Sequence, residues 1–311
     1  MIGRKTAAEP AVMKDAYAVC ERLVTAHYEN FPVASHLLPR AMRPHVAAVY
    51  AFARAADDFA DEGSRSDDER HRLMDDWLER LHQCVDRSVN ARPDRRDERD
   101  QIFLALGDTI HRCRLPVSLF EDLLSAFRQD ITTHRYETWD AVLDYCRRSA
   151  NPVGRLVLRI GGYRDETLDR ASDCLCTALQ LTNFWQDFER DWHRGRLYVP
   201  IEDSRSCGAR EDELDQRRVT DGWRCALTRV ATRTRGLFLQ GRAVCDGVRG
   251  RLRLELRLTW LGGMRILSRI ERARFDVFTN RPVLSASDVP SLLWGTITWH
   301  CGDLQSPSGD H

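Results

Sequence analysis

An acidic pair lies inside an otherwise apolar segment that reads Val49-Tyr-Ala-Phe-Ala-Arg-Ala-Ala-Asp-Asp-Phe-Ala-Asp-Glu-Gly63. The spacing of its apolar residues predicts a helix. On that helix Asp57 and Asp61 share one face, and Arg54 lies one turn earlier near it. Two carboxylates at this spacing repel each other, and half-buried carboxylates need a counter-charge. We therefore expect a cation to bridge Asp57 and Asp61.

A second acidic segment reads Leu179-Gln-Leu-Thr-Asn-Phe-Trp-Gln-Asp-Phe-Glu-Arg-Asp-Trp192. Asn183, Asp187 and Asp191 follow one another at four-residue steps, so a continuous helix would place three oxygen ligands on one stripe. Mg²⁺ prefers hard oxygen donors and keeps waters and phosphate oxygens in its coordination shell. Two facing stripes of this kind fit several Mg²⁺ ions bridging one diphosphate. The alternative is a solvated surface stripe, against which the surrounding aromatic residues argue.

The rest of the chain favours an all-α protein. It has 311 residues, of which 42% are hydrophobic, so it can bury a large core. Apolar residues recur at helical spacing through most of the sequence, and breaks fall at Pro, Gly or polar clusters such as Gly63, Pro116 and Gly161. The polar run from Asn90 has the length of an ordinary helix connection, so we predict a single domain over residues 1–311. Residues 303–311 are expected to fray.

Charge and cysteine content limit the choice of partners and compartment. The 47 basic and 47 acidic residues give a formal net charge of zero, which offers no electrostatic support for a nucleic-acid partner. The ten cysteines show no zinc-type spacing and no secretory signal precedes them, so we expect reduced thiols. No run of about 18 apolar residues occurs. These features predict a cytoplasmic protein, with contact to a membrane surface left open.

The two acidic segments together resemble the aspartate motifs of the squalene/phytoene synthases. The matching runs are Arg54-Ala-Ala-Asp-Asp-Phe-Ala-Asp61, Gln180-Leu-Thr-Asn-Phe-Trp-Gln-Asp-Phe-Glu-Arg-Asp191 and Gly195-Arg-Leu-Tyr-Val-Pro200. The resemblance implies one helical bundle around a central cavity, the isoprenoid synthase fold, with the aspartate helices facing each other across the mouth. It also implies a prenyl diphosphate as substrate and Mg²⁺ as cofactor, held by Asp57, Asp61, Asn183, Asp187 and Asp191.

Other runs are closest to one branch of that family, which converts presqualene diphosphate to hydroxysqualene in bacterial hopanoid pathways. They are Tyr28-Glu-Asn-Phe-Pro-Val-Ala-Ser35 and Asn151-Pro-Val-Gly154. The chain departs from the common family pattern at His27-Tyr-Glu-Asn-Phe31 and at Gln186, where relatives commonly have Ser-x-Ser-Phe and Arg. The loss of these groups favours one bound diphosphate over two. The resemblance to this branch implies that the enzyme ionises presqualene diphosphate and that water captures the resulting cation.

The resemblance also implies roles for individual side chains. Tyr145 matches the active-site tyrosine of the family. Candidate diphosphate donors are Arg54, Arg196 and Tyr198, because guanidinium and hydroxyl groups bind phosphate oxygens. Candidates for the cation-stabilising wall are Phe31, Tyr145 and Phe184. Candidates for holding the capturing water are His27, Asn30 and Asn151, and Gln180 is a further substrate-binding candidate. A structural role is the alternative for each of these residues.

Three functions remain compatible with the sequence. The first is hydroxysqualene formation, and the second is head-to-head condensation of two prenyl diphosphates, as in squalene or phytoene synthesis. The third is a non-catalytic relative that acts as an assembly factor, although such a relative would be expected to lose aspartates that this chain keeps. No Gly-x-Gly-x-x-Gly run follows a strand, which argues against a Rossmann-type fold but leaves NADPH binding open. The oligomeric state is also left open.

Overall fold

The computed structural model describes residues 10–27, 37–86, 97–279 and 281–299, and these residues form helices joined by short connections. The α-helices are α1 Pro10–His27, α2 Arg43–Asp61, α3 Asp67–Val85, α4 Glu98–Cys113, α5 Ser118–Asp130, α6 Trp139–Ser149, α7 Asn151–Ile160, α8 Glu166–Gln186, α9 Phe188–His193, α10 Ile201–Ser206, α11 Asp221–Gly247, α12 Gly250–Arg272 and α13 Val289–Thr298. Short 3₁₀ helices cover Glu211–Gln216 and Ala286–Asp288. The prediction of an all-α protein is confirmed.

Local sequence explains where many of these helices begin. Ser66 caps α3 in a capping box with Glu69, and the side chains of Thr138 and Thr220 accept from backbone N–H groups at the starts of α6 and α11. Such caps satisfy N–H groups that have no partner within the helix. Pro152 lies in the first turn of α7, where a missing N–H costs little.

Two clusters of buried side chains form the core. The amino-terminal cluster joins α1 to α5 around Phe52, Trp77 and Phe103. The carboxyl-terminal cluster contains Trp185 and Trp223, which come from α8 and α11. Helix α8 packs along most of α11 and also against α7 and α12, so it runs through the centre of the carboxyl-terminal half. It carries the second acidic segment out of this core at its end.

Close helix contacts depend on small residues. A side chain at Gly154 would place its Cβ 2.3 Å from Ser172 Oγ and 2.5 Å from Cys176 Sγ, so α7 can approach α8 only with glycine there. Trp185 on α8 donates to Thr234 Oγ1 on α11 at 2.9 Å. These contacts fix the register of the helix that bears Asn183 and, at its end, Asp187.

Two expectations are corrected by the structure. Cys207 and Cys225 are joined in a disulfide with Cα atoms 5.8 Å apart, so not all cysteines are free thiols. The polar run from Arg194 to Gly208, whose glycines and Pro200 also predict a break between helices, contains the short helix α10. Within the described ranges, no helix is long and apolar enough to cross a membrane.

Some predictions concern parts of the chain that lie outside the described residues. These are Asn30, Phe31, the side chain of His27, the connection 90–96 and the tail 303–311. The division into a single domain remains a prediction.

Candidate active site

A cleft of about 510 Å³ opens beside the carboxyl-terminal end of α2. Its lining is mostly charged, and carboxylates alternate with guanidinium groups around it. It is formed by Arg54, Asp57, Ala60, Asp61, Glu62, Asp67, Arg70, Asp130, Ile131, His134, Arg194 and Arg196. The cleft therefore brings the first acidic segment together with residues from the end of α5 and from the loop after α9.

The first acidic segment has the predicted helical geometry. Arg54 contacts Asp57 at 3.3 Å and Asp58 at 2.6 Å, so one guanidinium serves two carboxylates on α2. Asp61 is held from a distant part of the chain, because Arg196 binds its two oxygens at 2.5 and 3.1 Å. Arg54 and Arg196, both predicted phosphate donors, thus lie in the cleft beside the carboxylates.

A tight turn after α9 places Arg196. Gly195 has φ +77°, a left-handed conformation that glycine adopts without strain. The backbone N–H of Arg196 donates to the Asp191 carbonyl at 2.7 Å, and the N–H of Leu197 donates to the His134 carbonyl at 2.9 Å. Arg135 also donates to the Gly195 carbonyl at 2.6 Å. The loop is therefore tied both to α9 and to the segment after α5, and its guanidinium is directed at Asp61.

The second acidic segment does not lie on one continuous helix, which corrects the expected stripe. Helix α8 ends at Gln186, Asp187 has φ −97° and ψ 12°, and α9 begins at Phe188. Asp187 is bound by Arg281 at 2.6 and 3.1 Å, an ion pair across 94 positions of sequence. The four-residue hydrogen bonds continue through the break, because the Asp191 N–H still donates to the Asp187 carbonyl.

Three carboxyl groups in and around the cleft hold their protons more tightly than usual. Burial, together with the neighbouring Asp61 carboxylate, raises the pKa of Asp57 to about 6. Burial, together with Asp187, raises the pKa of Asp191 to about 7, and Asp61 contributes to the same shift. Burial also raises the pKa of Asp130 to about 7. Because Asp61 and Arg196 act on Asp191, the two acidic segments face one electrostatic environment.

Asp130 connects the cleft to the predicted active-site tyrosine. It is buried at the end of α5, and its Oδ2 accepts a hydrogen bond from the Tyr145 hydroxyl at 2.9 Å. Among the described residues, no donor reaches its Oδ1. A buried carboxylate oxygen without a partner is costly, so this atom is suited to receive a ligand, a water or a cation.

Aromatic rings lie directly behind Asp130. The rings of Phe184 and Tyr198 stack in parallel with centroids 3.7 Å apart, and Tyr145 lies about 6 Å from both. Tyr136 lies 5.6 Å from Tyr145 on another side. All four side chains are buried. Tyr145 and Phe184, both predicted for a cation-stabilising wall, belong to this buried aromatic group, and burial raises the pKa of the Tyr198 hydroxyl.

The remaining predicted residues are placed less centrally. Asn151 is buried, and its Oδ1 accepts from Thr177 Oγ1 at 2.8 Å, so half of its amide is used in joining α7 to α8. Gln180 is partly buried and Asn183 is exposed on α8. Within the described part of the chain, neither belongs to the ion-pair network of the cleft.

The side chains present fit a divalent cation. Carboxylate oxygens are the donors that Mg²⁺ prefers. Burial and a neighbouring carboxylate raise the pKa values of Asp57 and Asp191, so a divalent cation beside them would stabilise their charged forms. Among the described residues, no group of three or more Asp, Glu, His or Cys side chains is arranged to hold a metal ion. Asp57, Asp61, Asp187 and Asp191 would hold the ion after Arg196 and Arg281 give up their carboxylate contacts.

Two residues of the site escaped the sequence analysis. Asp130 follows Leu123 and Ala126 on the buried face of α5, and an acidic residue on an apolar face was the signal that would have revealed it. Arg281 carried no such signal, because its partner Asp187 is remote in sequence. Only the packing of the segment after α12 brings them together.

Comparison with known proteins identifies the family of this chain. The model of the squalene/phytoene synthase family matches residues 24–288. A hydroxysqualene synthase of Zymomonas mobilis is 36% identical over 213 residues, which are 68% of this chain and 67% of the relative. A second one, from Sinorhizobium fredii, is 35% identical over 230 residues, 73% of this chain and 74% of the relative.

Solved structures extend the likeness to the whole fold. The crystal structure of squalene synthase HpnC from Alicyclobacillus acidocaldarius superposes with a TM-score of 0.78 at 41% identity, covering 86% of this chain and 97% of that one. A dehydrosqualene synthase structure at 22% identity shares the fold with a TM-score of 0.80. Fold and cleft thus define an all-α protein of the isoprenoid synthase type. The chain belongs to the squalene/phytoene synthase family, and it is an enzyme of the prenyltransferase type.

Proposed function

We propose that this enzyme ionises presqualene diphosphate in a Mg²⁺-dependent step and captures the resulting cation with water, giving hydroxysqualene and diphosphate. The observation that carries the proposal is that a charged cleft adjoins a group of buried aromatic rings. A cleft of carboxylates and arginines opens at Asp57 and Asp61, and the stacked rings of Phe184 and Tyr198 lie behind it. The likeness to two hydroxysqualene synthases supports the choice of substrate.

The charged side of the junction serves departure of the diphosphate. Bound Mg²⁺ would supply a Lewis acid that draws electrons from the leaving oxygen. Arg54, Arg196 and Arg281 would donate to diphosphate oxygens, because a guanidinium can pair with phosphate as readily as with carboxylate. Existing ion pairs keep Arg54 and Arg196 in the cleft before substrate arrives, and Arg281 is held against Asp187.

The aromatic side stabilises the cation and excludes bulk water. The faces of Phe184, Tyr198 and Tyr145 present electron-rich rings, each worth about 0.5 to 2 kcal/mol to a nearby cation. Capture forms one carbon–oxygen bond to water and releases one proton. Asp130 lies at this boundary with an oxygen that no donor of the described residues reaches, so it orients the water and accepts that proton.

The test uses purified enzyme, presqualene diphosphate and Mg²⁺ in ¹⁸O-labelled water without NADPH. The expected product is a C30 alcohol that carries one labelled oxygen, released together with one diphosphate. Squalene formed on addition of NADPH, with no labelled alcohol in its absence, would show hydride capture instead. Turnover of farnesyl diphosphate alone into a condensed product would move the enzyme to the head-to-head branch. An Asp130→Asn variant should lower the alcohol yield while diphosphate release continues, because Asp130 is the group that orients the water and accepts its proton.

A further inference from the structure

The carboxyl-terminal helix α13 turns an apolar face outward. Leu293, Trp294 and Ile297 are spaced to share one side of this helix and are 37%, 68% and 71% exposed. We call these three residues the outer face of α13. The opposite side is buried, because Leu292 and Thr296 pack towards α12. Large apolar side chains at this exposure are unusual when they adjoin one another.

The helix is firmly attached at both ends, so its outer face has a defined orientation. At the amino end, the side chain of Asp288 is 6% exposed and binds Arg265 and Arg269. At the carboxyl end, the Trp299 ring lies under the guanidinium groups of Arg242 and Arg257, at 4.5 and 4.8 Å. The exposure therefore belongs to a well-packed helix.

The charge around this helix favours an anionic partner. The whole chain has equal numbers of basic and acidic residues, but residues 242–299 contain ten arginines and only five acidic residues. One of those five is Glu255, whose burial raises its pKa to about 8, so it is mostly protonated at neutral pH. Arg265 and Arg269 flank the amino end of α13, and Arg242 and Arg257 flank the carboxyl end. Apolar side chains between cationic ones match the surface of an anionic bilayer.

Other occupants fit less well. The helix has ten residues and is therefore about 15 Å long, so its outer face offers far less than the roughly 800 Å² per partner that a stable dimer buries. Residues 300–311 contain a single leucine among mostly polar residues, too little apolar surface to cover three large side chains. A bilayer needs only shallow insertion of a few side chains, and tryptophan is favoured at that interface.

We propose that the outer face of α13 docks the enzyme on an anionic lipid bilayer, with Leu293, Trp294 and Ile297 inserted among the acyl chains and the flanking arginines near the headgroups. This role is independent of the product that the active site makes. It requires neither a membrane-spanning segment nor a covalent lipid.

Co-sedimentation with vesicles tests the proposal. Full-length enzyme is mixed with phosphatidylcholine vesicles, with or without about 30% phosphatidylglycerol, at low and high salt. We expect binding to the anionic vesicles that weakens at high salt. The double variant Trp294→Ser with Ile297→Ser should bind at least about tenfold more weakly. Leu239→Ser, at a side chain that is 51% exposed on α11, is the matched control and should bind like the wild type.

Several outcomes would overturn the proposal. Wild-type enzyme that stays in the supernatant would do so, and so would a double variant that sediments like the wild type or a control that loses as much binding. A wild-type dimer in light scattering that becomes monomeric in the double variant would assign the outer face to a second copy of the chain. Circular dichroism and turnover in the absence of vesicles should be unchanged in both variants, since all three side chains are exposed and none of them lines the cleft.

Discussion

The two acidic segments differ in how their helices carry them, yet they share a charge pattern. The first lies on the unbroken helix α2, whereas the second crosses the break between α8 and α9 at Asp187. In each segment one aspartate is bound through both oxygens by an arginine from far along the chain, Arg196 for Asp61 and Arg281 for Asp187. In each the other aspartate, Asp57 or Asp191, has a raised pKa.

This difference separates two kinds of carboxylate in the two acidic segments. Asp61 and Asp187 are neutralised by guanidinium groups, which must be displaced before a metal ion can bind them. Asp57 and Asp191 carry negative charge that burial and a like-charged neighbour make unfavourable, so a divalent cation would gain most from these two. We therefore predict that Asp57 and Asp191 bind the cation first. Asp61 and Asp187 then become its ligands only as Arg196 and Arg281 release them.

Removal of the cation should have the largest effect, because both segments would lose their shared ligand. Addition of EDTA is expected to lower turnover by at least about a thousandfold, and excess Mg²⁺ to restore it. Product formation by dialysed enzyme, measured before and after metal addition, checks this. Full activity in the chelator would contradict the metal assignment of both segments, and restoration by a soft metal alone would contradict the oxygen ligand set.

Loss of a single recruiting carboxylate should have the next largest effect. Asp57→Asn and Asp191→Asn are each expected to lower kcat by about a hundredfold or more, because the negative charge is lost while the volume is kept. Asp58→Asn, one position along α2, is the matched control and should stay within about threefold of the wild type. Steady-state kinetics with saturating Mg²⁺ gives the comparison. An effect at Asp58 as large as at Asp57 would mean that overall charge matters more than position.

The long-range arginine of the second segment should have a moderate effect. Arg281→Ala is expected to lower kcat/KM by about tenfold, since one guanidinium that would pass from Asp187 to diphosphate is lost. Arg190, 62% exposed and 3.7 Å from the same carboxylate, is the control, and Arg190→Ala should change kcat/KM by less than about twofold. A titration of activity with Mg²⁺ adds a second readout. Because Arg281→Ala frees the Asp187 carboxylate, the variant should reach half of its maximal activity at a lower Mg²⁺ concentration than the wild type.

The pH dependence of stability should show the smallest effect. In metal-free protein the folded pKa values of Asp57 and Asp191, about 6 and 7, lie above the ordinary 3.8. The folded state then binds more protons than the unfolded state between about pH 4 and 7, so stability is lost as the pH rises through this window. Mg²⁺ replaces these protons, and the rise in Tm that it causes should grow from pH 5.5 to pH 8.

A buried carboxyl outside the cleft provides the control for that measurement. Burial alone raises the pKa of Glu255 on α12 to about 8. Glu255→Gln should therefore reduce the loss of Tm between about pH 5 and 8 in the metal-free protein, while leaving the Mg²⁺-dependent rise unchanged. A Mg²⁺ effect that disappears in this variant, or one that is equal at pH 5.5 and pH 8, would show that Asp57 and Asp191 do not bind the ion.

Local features of the sequence predicted much of this molecule. The apolar spacing around Asp57 predicted helix α2, and the predicted breaks at Gly63, Pro116 and Gly161 match helix ends at Asp61, Cys113 and Ile160. These predictions succeeded because hydrogen bonding and side-chain periodicity in a helix connect residues only three or four positions apart. The second acidic segment was predicted less well, because α8 ends at Gln186 although the four-residue hydrogen bonds continue through Asp187.

The sequence alone thus determined which residues carry charge, which faces are apolar and which segments are helical. Tertiary structure decided that Arg196 binds Asp61 across 135 positions, that Arg281 binds Asp187 across 94, that Asp130 meets Tyr145, and that Cys207 pairs with Cys225. The packing of the helices determines these pairs. From the sequence alone, many carboxylates were equally plausible partners for each arginine. Coulomb attraction acts over a few ångströms of space and has no dependence on sequence separation, so only the folded chain selects among them.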